Sequence, residues 1–383
     1  MLPVLSRIVE RIVVHTYLYP SFVDMPEPMS LHDQYAFRPT GMNTAALISI
    51  IHHASDLLKS NDHIVIISMD YSKAFDSIKH SAITSLLASL NIPDCIYNWL
   101  VNYLHGRKHS TRFKGVTSAS ITINASVIQG SVIGPADFIV GTSDLHPLHS
   151  QNRLSKYADD SYLFIGSNHL STATDELQHI TNWSKGKNLR INSDKTREIA
   201  IIRRNKSSLS THSSISGVSR TKSIKALGVL IGEKLTVTDH INKIICSGTA
   251  SLYAIRTLKA HGASIQELQT FTRATIISRV MYASPAWWGL ASGLDKSRLA
   301  GLMNKLRRAG YLHPDTLTAE TLAQEADKVL FKAVQGNELH VLRNLFPLQR
   351  DPLYNFRERA HNFILPNKDS LNFIPRMLFK NMY

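Results

Sequence analysis

The sequence predicts an α+β protein, and three patterns support this class. A run of β-branched residues at 63–70, which ends in Asp70, is typical of a buried strand. At 78–90, apolar residues recur at steps of three and four, as they do along one face of an amphipathic helix. Beyond Leu235 the pattern is mostly helical, and we place a domain boundary there.

The other elements follow in chain order from the same periodicities and from turn residues. Helices are predicted at 1–11, 43–58, 93–103, 136–149 and 172–185, the last with a capping box of Thr172 and Asp175. Hairpins are predicted at 109–128 and at 154–165, the second with Asp159 and Asp160 at its tip. Strands are predicted at 197–203 and 224–231, with a mobile Ser-rich loop at 205–219 between them.

The charge balance favours an acidic partner. Lysine and arginine number 43 against 29 aspartates and glutamates, which gives a formal net charge of +14. Nucleic acid is the first expectation, because each Lys or Arg placed along a phosphate groove releases bound cations. A soluble basic protein without such a partner is the alternative.

The cysteines and the apolar segments argue against several classes of protein: zinc-binding, disulfide-bonded, membrane-spanning and secreted. Cys95 and Cys246 are far apart and form neither a zinc pattern nor a disulfide framework, which fits a reducing compartment. No segment approaches the roughly 20 apolar residues of a membrane span, so no membrane partner is expected. The N-terminus mixes Arg7, Glu10 and Arg11 with apolar residues, unlike a signal peptide.

Three aspartates are candidates for metal binding. Asp70 closes an apolar strand, while Asp159 and Asp160 are adjacent on a tight turn between apolar strand residues. Neighbouring carboxylates repel one another unless a cation offsets them, and Mg²⁺ prefers such oxygen ligands. Two ions about 3.5–4 Å apart can hold the groups that react in nucleotidyl transfer. An Asp-Asp turn alone is better explained as a structural turn, since Asp is common there.

Several short motifs stand in a fixed order along the chain. They are Leu5-Ser-Arg-Ile-Val-Glu10, Gln34-Tyr-Ala-Phe-Arg-Pro39, Asp70-Tyr-Ser-Lys-Ala-Phe-Asp-Ser-Ile-Lys-His80, Gln129-Gly-Ser-Val-Ile-Gly-Pro135, Tyr157-Ala-Asp-Asp160, Asn182-Trp183 through Lys195-Thr196, and Leu227-Gly-Val229. In these motifs and their order, over roughly residues 2–232, the sequence resembles the reverse transcriptases of non-LTR (LINE-like) retrotransposons.

This resemblance implies a right-hand polymerase fold with fingers, an antiparallel-sheet palm and a helical thumb. The expected parts are partial fingers at 1–62, a palm with inserted fingers elements at 63–232, a thumb at 233–300 and a helical C-terminal extension at 301–383. The implied activity is that of an RNA-directed DNA polymerase. Its partners would be an RNA template, a DNA primer or target, and dNTPs.

The resemblance also implies the metal ligands. Asp70 and Asp159 would bridge two Mg²⁺ ions, or Mn²⁺ in their place, with Asp160 as the third carboxylate and the backbone carbonyl of Tyr71 completing one coordination sphere. Lys195 would neutralise or protonate the leaving pyrophosphate, although a solvated surface lysine remains the alternative.

Four further residues are expected around the substrate. By resemblance, Phe75 would lie beneath the incoming sugar and exclude a 2′-hydroxyl; otherwise it is a core aromatic. Gln129 and Gly130 would line the nucleotide pocket, where a glycine permits close backbone approach; the alternative is a plain turn glycine. Arg38 would touch the triphosphate or the template from the fingers.

The sequence departs from the family's pattern at two places. Ile128 stands where many relatives have proline, which is expected to loosen that turn without removing chemistry. Asp137 lies inside an apolar stretch, where a buried acid lowers stability unless it is paired.

The second half of the chain gives weaker indications. Scattered basic residues at Lys234, Lys243, Arg256, Lys259, Arg273 and Arg279 fit either a duplex-gripping thumb or a solvated basic face. Tyr282 to Trp288 is better explained as a packing cluster than as a base-stacking surface. Later arginines, including Arg357 and Arg359, are expected to add nucleic-acid contacts. No endonuclease signature is present, so a fragment or decayed copy of an element is expected.

Other functions stay open at this point. The fold could persist without catalysis, as an RNA-binding scaffold or the remnant of a truncated element. A group II intron maturase or a viral RNA polymerase is a further alternative, and Phe75 with the Lys-Ala-Phe-Asp pattern argues against the viral case. The sequence identifies no protein partner and no localisation, although the reaction of such elements requires access to the nucleus.

Overall fold

The computed structural model describes residues 4–203, 214–215, 217–350 and 361–381. The α-helices are α1 (Val4–Val13), α2 (Tyr19–Ser21), α3 (Asn43–Ser60), α4 (Ala74–Ser77), α5 (His80–Leu87), α6 (Asp94–Leu104), α7 (Ile133–Gly141), α8 (Ala173–Gly186), α9 (Thr238–Ala260), α10 (Ile265–Thr272), α11 (Ser278–Met281), α12 (Ser284–Trp287), α13 (Gly293–Arg308), α14 (Ala319–Gln335) and α15 (Phe373–Lys380). The strands are β1 (His63–Met69), β2 (Lys108–His109), β3 (Arg112–Phe113), β4 (Val116–Thr117), β5 (Ile121–Thr122), β6 (Arg153–Tyr157), β7 (Asp160–Gly166), β8 (Arg197–Ile202), β9 (Ser219–Arg220), β10 (Ser223–Ala226) and β11 (Val229–Gly232). The α+β class is therefore confirmed. Most of the predicted loop at 205–219, together with Arg357 and Arg359, lies outside the described residues.

The main sheet has five strands in the order β6-β7-β1-β8-β9. Strands β6 and β7 form an antiparallel hairpin whose register pairs Tyr157 with Asp160. The turn between them therefore consists of Ala158 and Asp159 alone. Strand β1 is buried along nearly its whole length, which explains why its sequence is a continuous apolar run and not an alternating one.

Two compact units can be distinguished by their internal packing. Unit 1 comprises residues 1–42, 67–198 and 213–219. Its core includes Ile78, Ile83 and Phe138, which come from α5, α7 and the segment before them. A Cβ added to Gly141 would lie 2.7 Å from the side chain of Ile78, so the glycine permits the close approach of α7.

Unit 2 comprises residues 43–66, 199–212 and 220–383. Trp287 is 0% exposed and Trp288 is 3% exposed. The Trp287 ring contacts His240 edge-on at 5.2 Å and lies 5.6 Å from the Trp288 ring. These tryptophans are packing residues, as the sequence favoured.

Several predicted elements need correction. The single strand at 224–231 is wrong: β10 and β11 form an antiparallel hairpin there, turning at Leu227 and Gly228 with φ of 42° and 89°. The helix at 136–149 is shorter, because the hydroxyl groups of Thr142 and Ser143 bond back to carbonyls of α7 where it ends. The capping box at Thr172 is also wrong, since its hydroxyl donates to the His169 carbonyl.

Other predictions agree with the structure. Strand β1 and helices α3 and α6 lie where the periodicities placed them, with Pro93 as the N-cap of α6. The division at 62, 232 and 300 into fingers, palm, thumb and extension stays a prediction. Within the described ranges, no helix is both long enough and apolar enough to cross a bilayer.

Candidate active site

Strands β1 and β7 place two carboxylates at the centre of the candidate site. Asp70 directly follows β1, and Asp159 directly precedes β7, its neighbour in the sheet. Burial raises the pKa of Asp159, and the negative charge of Asp70 raises it further, while Lys195 opposes the shift. The two carboxylates therefore lie close enough to repel each other.

Backbone hydrogen bonds fix the position of Asp70 from the opposite side. The N–H of Asn192 donates to the Asp70 carbonyl at 2.8 Å, and the N–H of Ser72 donates to the Arg190 carbonyl at 2.8 Å. Tyr71 forms an antiparallel bridge with Ile191 between these two bonds. Residues 190–192 thus hold the segment that carries Asp70.

The same segment presents Lys195 to the site. A turn after Asn192, closed by hydrogen bonds from the N–H groups of Lys195 and Thr196 to its carbonyl, directs the chain back. As a result, Lys195 Nζ lies 3.1 Å from Asp70 Oδ2, although the lysine side chain is 66% exposed. Lys195 can therefore balance the carboxylates and still reach a bound ligand.

The donor set suits a hard divalent cation. Asp70 Oδ2 is buried, and its ion pair with the Lys195 ammonium group is the contact that the described residues offer it. A carboxylate oxygen beside a second carboxylate, offset here only by an exposed lysine, is the kind of ligand that Mg²⁺ accepts. No group of three or more His, Cys, Asp or Glu side chains in the described part of the chain is arranged to hold a metal. The participation of Asp160 and of the Tyr71 carbonyl stays a prediction.

Phe75 is held by two other aromatic side chains. Its ring stacks on Phe138 at 4.2 Å between centroids, and the Phe37 ring meets it edge-on at 6.0 Å. Such stacking restricts the motion of the Phe75 ring. A ring fixed in this way is suited to excluding a substituent by its bulk.

The glycine-rich turn lies beside the helix that carries Phe75. Gln129 Nε2 donates to Asp76 Oδ1 at 2.9 Å, which links the turn to α4. Gly130 has a φ of 85°, and a Cβ added there would meet nothing within 4 Å. The backbone conformation, and not crowding by this chain, therefore requires glycine.

Arg38 makes local contacts in the structure. Its guanidinium donates to the Leu31 carbonyl and, at 3.4 Å, to the Gln34 carbonyl. These bonds stabilise the turn in which it lies. Both bonds come from one terminal nitrogen, so its predicted contact with triphosphate or template would use the other N–H groups of the guanidinium.

Sequence reasoning missed two sets of contacts. Gln34 was noted only as the first residue of a fingers motif, yet its side-chain amide bonds to the backbone of Ala158 in the turn that carries Asp159. Asp144 accepts hydrogen bonds from Trp183 Nε1 at 2.9 Å and from Lys187 Nζ at 2.7 Å. Neither contact follows a periodic pattern, so only the motif positions hinted at them.

Comparisons with known proteins bear on this arrangement. A family model described as "Reverse transcriptase (RNA-dependent DNA polymerase)" matches residues 1–231. The probable RNA-directed DNA polymerase from transposon X-element of Drosophila melanogaster is 24% identical over 80% of this chain and 34% of its own length. The RNA-directed DNA polymerase from mobile element jockey of the same fly is 26% identical over 64% of this chain and 27% of its own length. The chain thus spans about a third of these relatives at most.

A solved structure is similar at lower identity. The telomerase from Candida tropicalis in complex with a TWJ fragment of telomeric RNA gives a TM-score of 0.46 and 12% identity, covering 89% of this chain and 51% of that one. Together, the family match and the fly relatives confirm the predicted resemblance to polymerases of non-LTR retrotransposons, and with it the right-hand polymerase class.

Proposed function

Because the chain belongs to the reverse transcriptase (RNA-dependent DNA polymerase) family, we propose that it extends a DNA primer with dNTPs on an RNA template, as the polymerase of a non-LTR retrotransposon. The observation that carries the proposal is the pairing of Asp70 with Asp159, whose charges are offset by the exposed ammonium group of Lys195 at 3.1 Å from Asp70 Oδ2. Such an arrangement serves a reaction in which cations and phosphates meet.

Reverse transcriptases generally depend on divalent metal ions. We propose that Asp70 and Asp159 hold two Mg²⁺ ions, with Asp160 and the Tyr71 carbonyl as further ligands. When bound, the ions lower the pKa of the primer 3′-hydroxyl and neutralise charge on the triphosphate. The hairpin turn and residues 190–192 keep the two carboxylates in place for this task.

The remaining residues act on the nucleotide. Lys195 leaves Asp70 and neutralises the pyrophosphate, which its exposed position allows. Phe75, fixed by its stacking on Phe138, excludes a 2′-hydroxyl and favours dNTPs. Gln129 and Gly130 border the nucleotide, and Arg38 meets the triphosphate or template from the fingers.

Nucleic acid is the proposed partner of the rest of the chain. The chain has a formal net charge of +14. Its binding to the template and primer should therefore weaken as the salt concentration rises, because bound cations compete for the phosphates. The segment at 233–300, which contains α9 and α10, would act as the thumb on the duplex product.

Primer extension on an RNA template tests the proposal. With Mg²⁺ and dNTPs, the wild-type chain should extend the primer, and Asp159→Ala should abolish extension. Asp175→Ala, which removes a 68% exposed aspartate of α8, is the matched control and should extend normally. A wild-type chain that binds RNA without extending the primer would indicate an inactive scaffold, and a preference for NTPs would indicate an RNA polymerase.

A further inference from the structure

Gln34 makes an unusual set of contacts for a side chain far from the acids in sequence. It is 0% exposed, and its Oε1 accepts hydrogen bonds from the N–H groups of Ala158 and Ala36, each at 3.0 Å. Its Nε2 donates to the Ala158 carbonyl at 3.4 Å. One amide therefore satisfies both backbone polar groups of a single residue, 124 positions away.

That residue adopts a strained backbone conformation. Ala158 has a φ of 56°, in the left-handed region that residues with a Cβ rarely occupy. Such a conformation persists only where the surrounding structure holds it. Asp159 follows directly, so rotation of the backbone at Ala158 would swing the Asp159 carboxylate away from Asp70.

Gln34 is itself held firmly. The N–H of Tyr35 donates to the Lys156 carbonyl at 2.9 Å, and the N–H of Lys156 donates to the Asp33 carbonyl at 2.6 Å. The Lys156 side chain is 2% exposed and lies 3.1 Å from Asp33 Oδ1. It also donates to the carbonyls of Thr142 and Leu145, at 3.2 and 2.9 Å. The segment at 33–35 is thus bonded to β6 on both sides of Gln34.

We propose that Gln34 is a positioning residue that fixes the Ala158 backbone and thereby sets the place of the Asp159 carboxylate beside Asp70. The assignment of a metal-binding role to Asp159 rests on the proposed function. The glutamine is needed because it offers an acceptor and a donor at the right length. Methionine has neither, and an ionised glutamate lacks the donor.

Binding of Mn²⁺ to the purified chain, followed by electron paramagnetic resonance, tests this role without polymerase activity. Gln34→Met should weaken Mn²⁺ affinity about tenfold or more, as loss of supporting bonds around a metal site typically does. Asp159→Asn provides the reference for loss of binding. Thr142→Val is the control, because it removes a buried hydroxyl that donates to the Phe138 and Ile139 carbonyls of α7. This variant should bind Mn²⁺ with an affinity within about twofold of the wild type.

Thermal unfolding of each variant separates positioning from folding. Thr142→Val and Gln34→Met should both remain folded at the assay temperature, and only Gln34→Met should lose Mn²⁺ affinity. Wild-type Mn²⁺ affinity in a folded Gln34→Met chain, alongside its loss in Asp159→Asn, would overturn the proposal.

Gln34→Glu adds a readout that a merely structural role would not produce. In its acid form the new carboxyl has a donor and an acceptor like the amide, and burial raises its pKa, which extends the range of that form. At each pH, the ratio of its Mn²⁺ affinity to that of the wild type is measured. This ratio should approach one in mild acid and fall as the pH rises through the pKa of the new carboxyl group. A ratio that stays well below one even in mild acid would count against the proposal.

Primer-extension kinetics keep this proposal distinct from the proposed function. If the wild-type chain extends primers, Gln34→Met should lower kcat about tenfold or more, with KM for dNTP within about twofold. If Gln34→Met instead raised KM for dNTP about tenfold and left kcat unchanged, the positioning role would be overturned. If the wild-type chain extends no primer, the proposed function fails, and the Mn²⁺ comparison still decides the role of Gln34.

Discussion

Two pairs of acidic side chains in unit 1 face the same electrostatic problem and meet it differently. Asp70 and Asp159 lie beside the ammonium group of Lys195, whose side chain is 66% exposed. Glu10 and Asp137 are each only 1% exposed, and the charge of Glu10 acts on Asp137. The pair of Asp70 and Asp159 is partly exposed to solvent, whereas the pair of Glu10 and Asp137 is buried.

In the buried pair, Glu10 accepts several hydrogen bonds, whereas Asp137 Oδ1 is buried without a hydrogen-bond partner among the described residues. Glu10 accepts from the Val132 N–H at 2.7 Å, from the Ser6 hydroxyl at 3.2 Å and from the Tyr103 hydroxyl at 3.4 Å. Burial, and then the charge of Glu10, raise the pKa of Asp137 well above its ordinary value. A protonated Asp137 removes the repulsion, so the pair needs no cation. Of these two pairs, only Asp70 and Asp159 have an exposed ammonium group against them, so this is the pair for which we predict metal binding.

The largest expected effect separates the two pairs by their chemistry. Asp159→Asn should lower primer extension by about 10³-fold or more, because a metal ligand is lost. Asp137→Asn should leave the rate within about twofold, since it keeps the shape of the side chain and removes only a charge that burial disfavours. Gel-based extension on an RNA template measures both. Loss of extension in a folded Asp137→Asn chain would show that the buried pair also serves catalysis.

The next effect concerns the cation of the accessible pair. Lys195→Gln should lower the extension rate about 10²-fold, the usual contribution of such a group. It should also move the acid limb of the pH–rate profile to higher pH, because Lys195 lowers the pKa of Asp159. Lys185→Gln, an exposed lysine of α8, is the control. An acid limb that stays in place would contradict the electrostatic role.

Removing the acceptor of the buried pair should reduce stability and not chemistry. Glu10→Ala leaves the Val132 N–H without its partner, which typically costs about 1–3 kcal/mol. Urea unfolding measures the change in the free energy of unfolding. Ser6→Ala removes only one part-buried bond to Glu10 and should cost less than about 1 kcal/mol. Equal losses in the two variants would show that Glu10 holds little besides Ser6.

The smallest effect is the pH dependence of stability. The folded pKa of Asp137 is raised, so its stabilising proton is present at low pH and is lost as pH rises through that pKa. Asp137→Asn should therefore gain stability over wild type progressively as pH rises above the ordinary value of 3.8. Urea unfolding across this pH range provides the measurement, and no gain would contradict the assignment.

Asp33 supplies a control of opposite sign. Burial alone would raise its pKa, but Lys156 and His146 outweigh burial and lower it. Its contribution to stability is present above the ordinary value of 3.8 and is lost as pH falls below it. Asp33→Asn should therefore flatten only the acidic side of the stability curve.

The accessible pair could be predicted from the sequence, whereas its supports could not. Asp70 and Asp159 terminate apolar strands, and strand patterns with motif spacing suffice to bring such residues together. The bond between Gln34 and Ala158 joins residues 124 positions apart and leaves no periodic trace. Asp137 was recognisable as an anomaly, but Glu10 looked like the polar face of an amphipathic helix, so its burial was hidden.

Local hydrogen bonds explain the errors in element boundaries. Thr172 had the spacing of a capping box, yet its hydroxyl found a nearer carbonyl in the preceding 3₁₀ turn, at His169. Leu227 and Gly228 adopt positive φ values that fold one apparent strand into two. Such choices depend on competing partners a few ångströms away, which composition and periodicity do not encode.

The pairing of Tyr157 with Asp160 makes this hairpin intolerant of changes in length. Successive side chains of a strand point to opposite faces, so a residue inserted or deleted within the paired part of β7 would reverse the direction of every later side chain in that strand. Leu163 and Ile165, both fully buried, would exchange sides with Tyr162 and Phe164. Evolution can therefore exchange residues around the two aspartates more freely than it can add or remove one, and a relative of altered spacing here would keep the acids but lose their alignment.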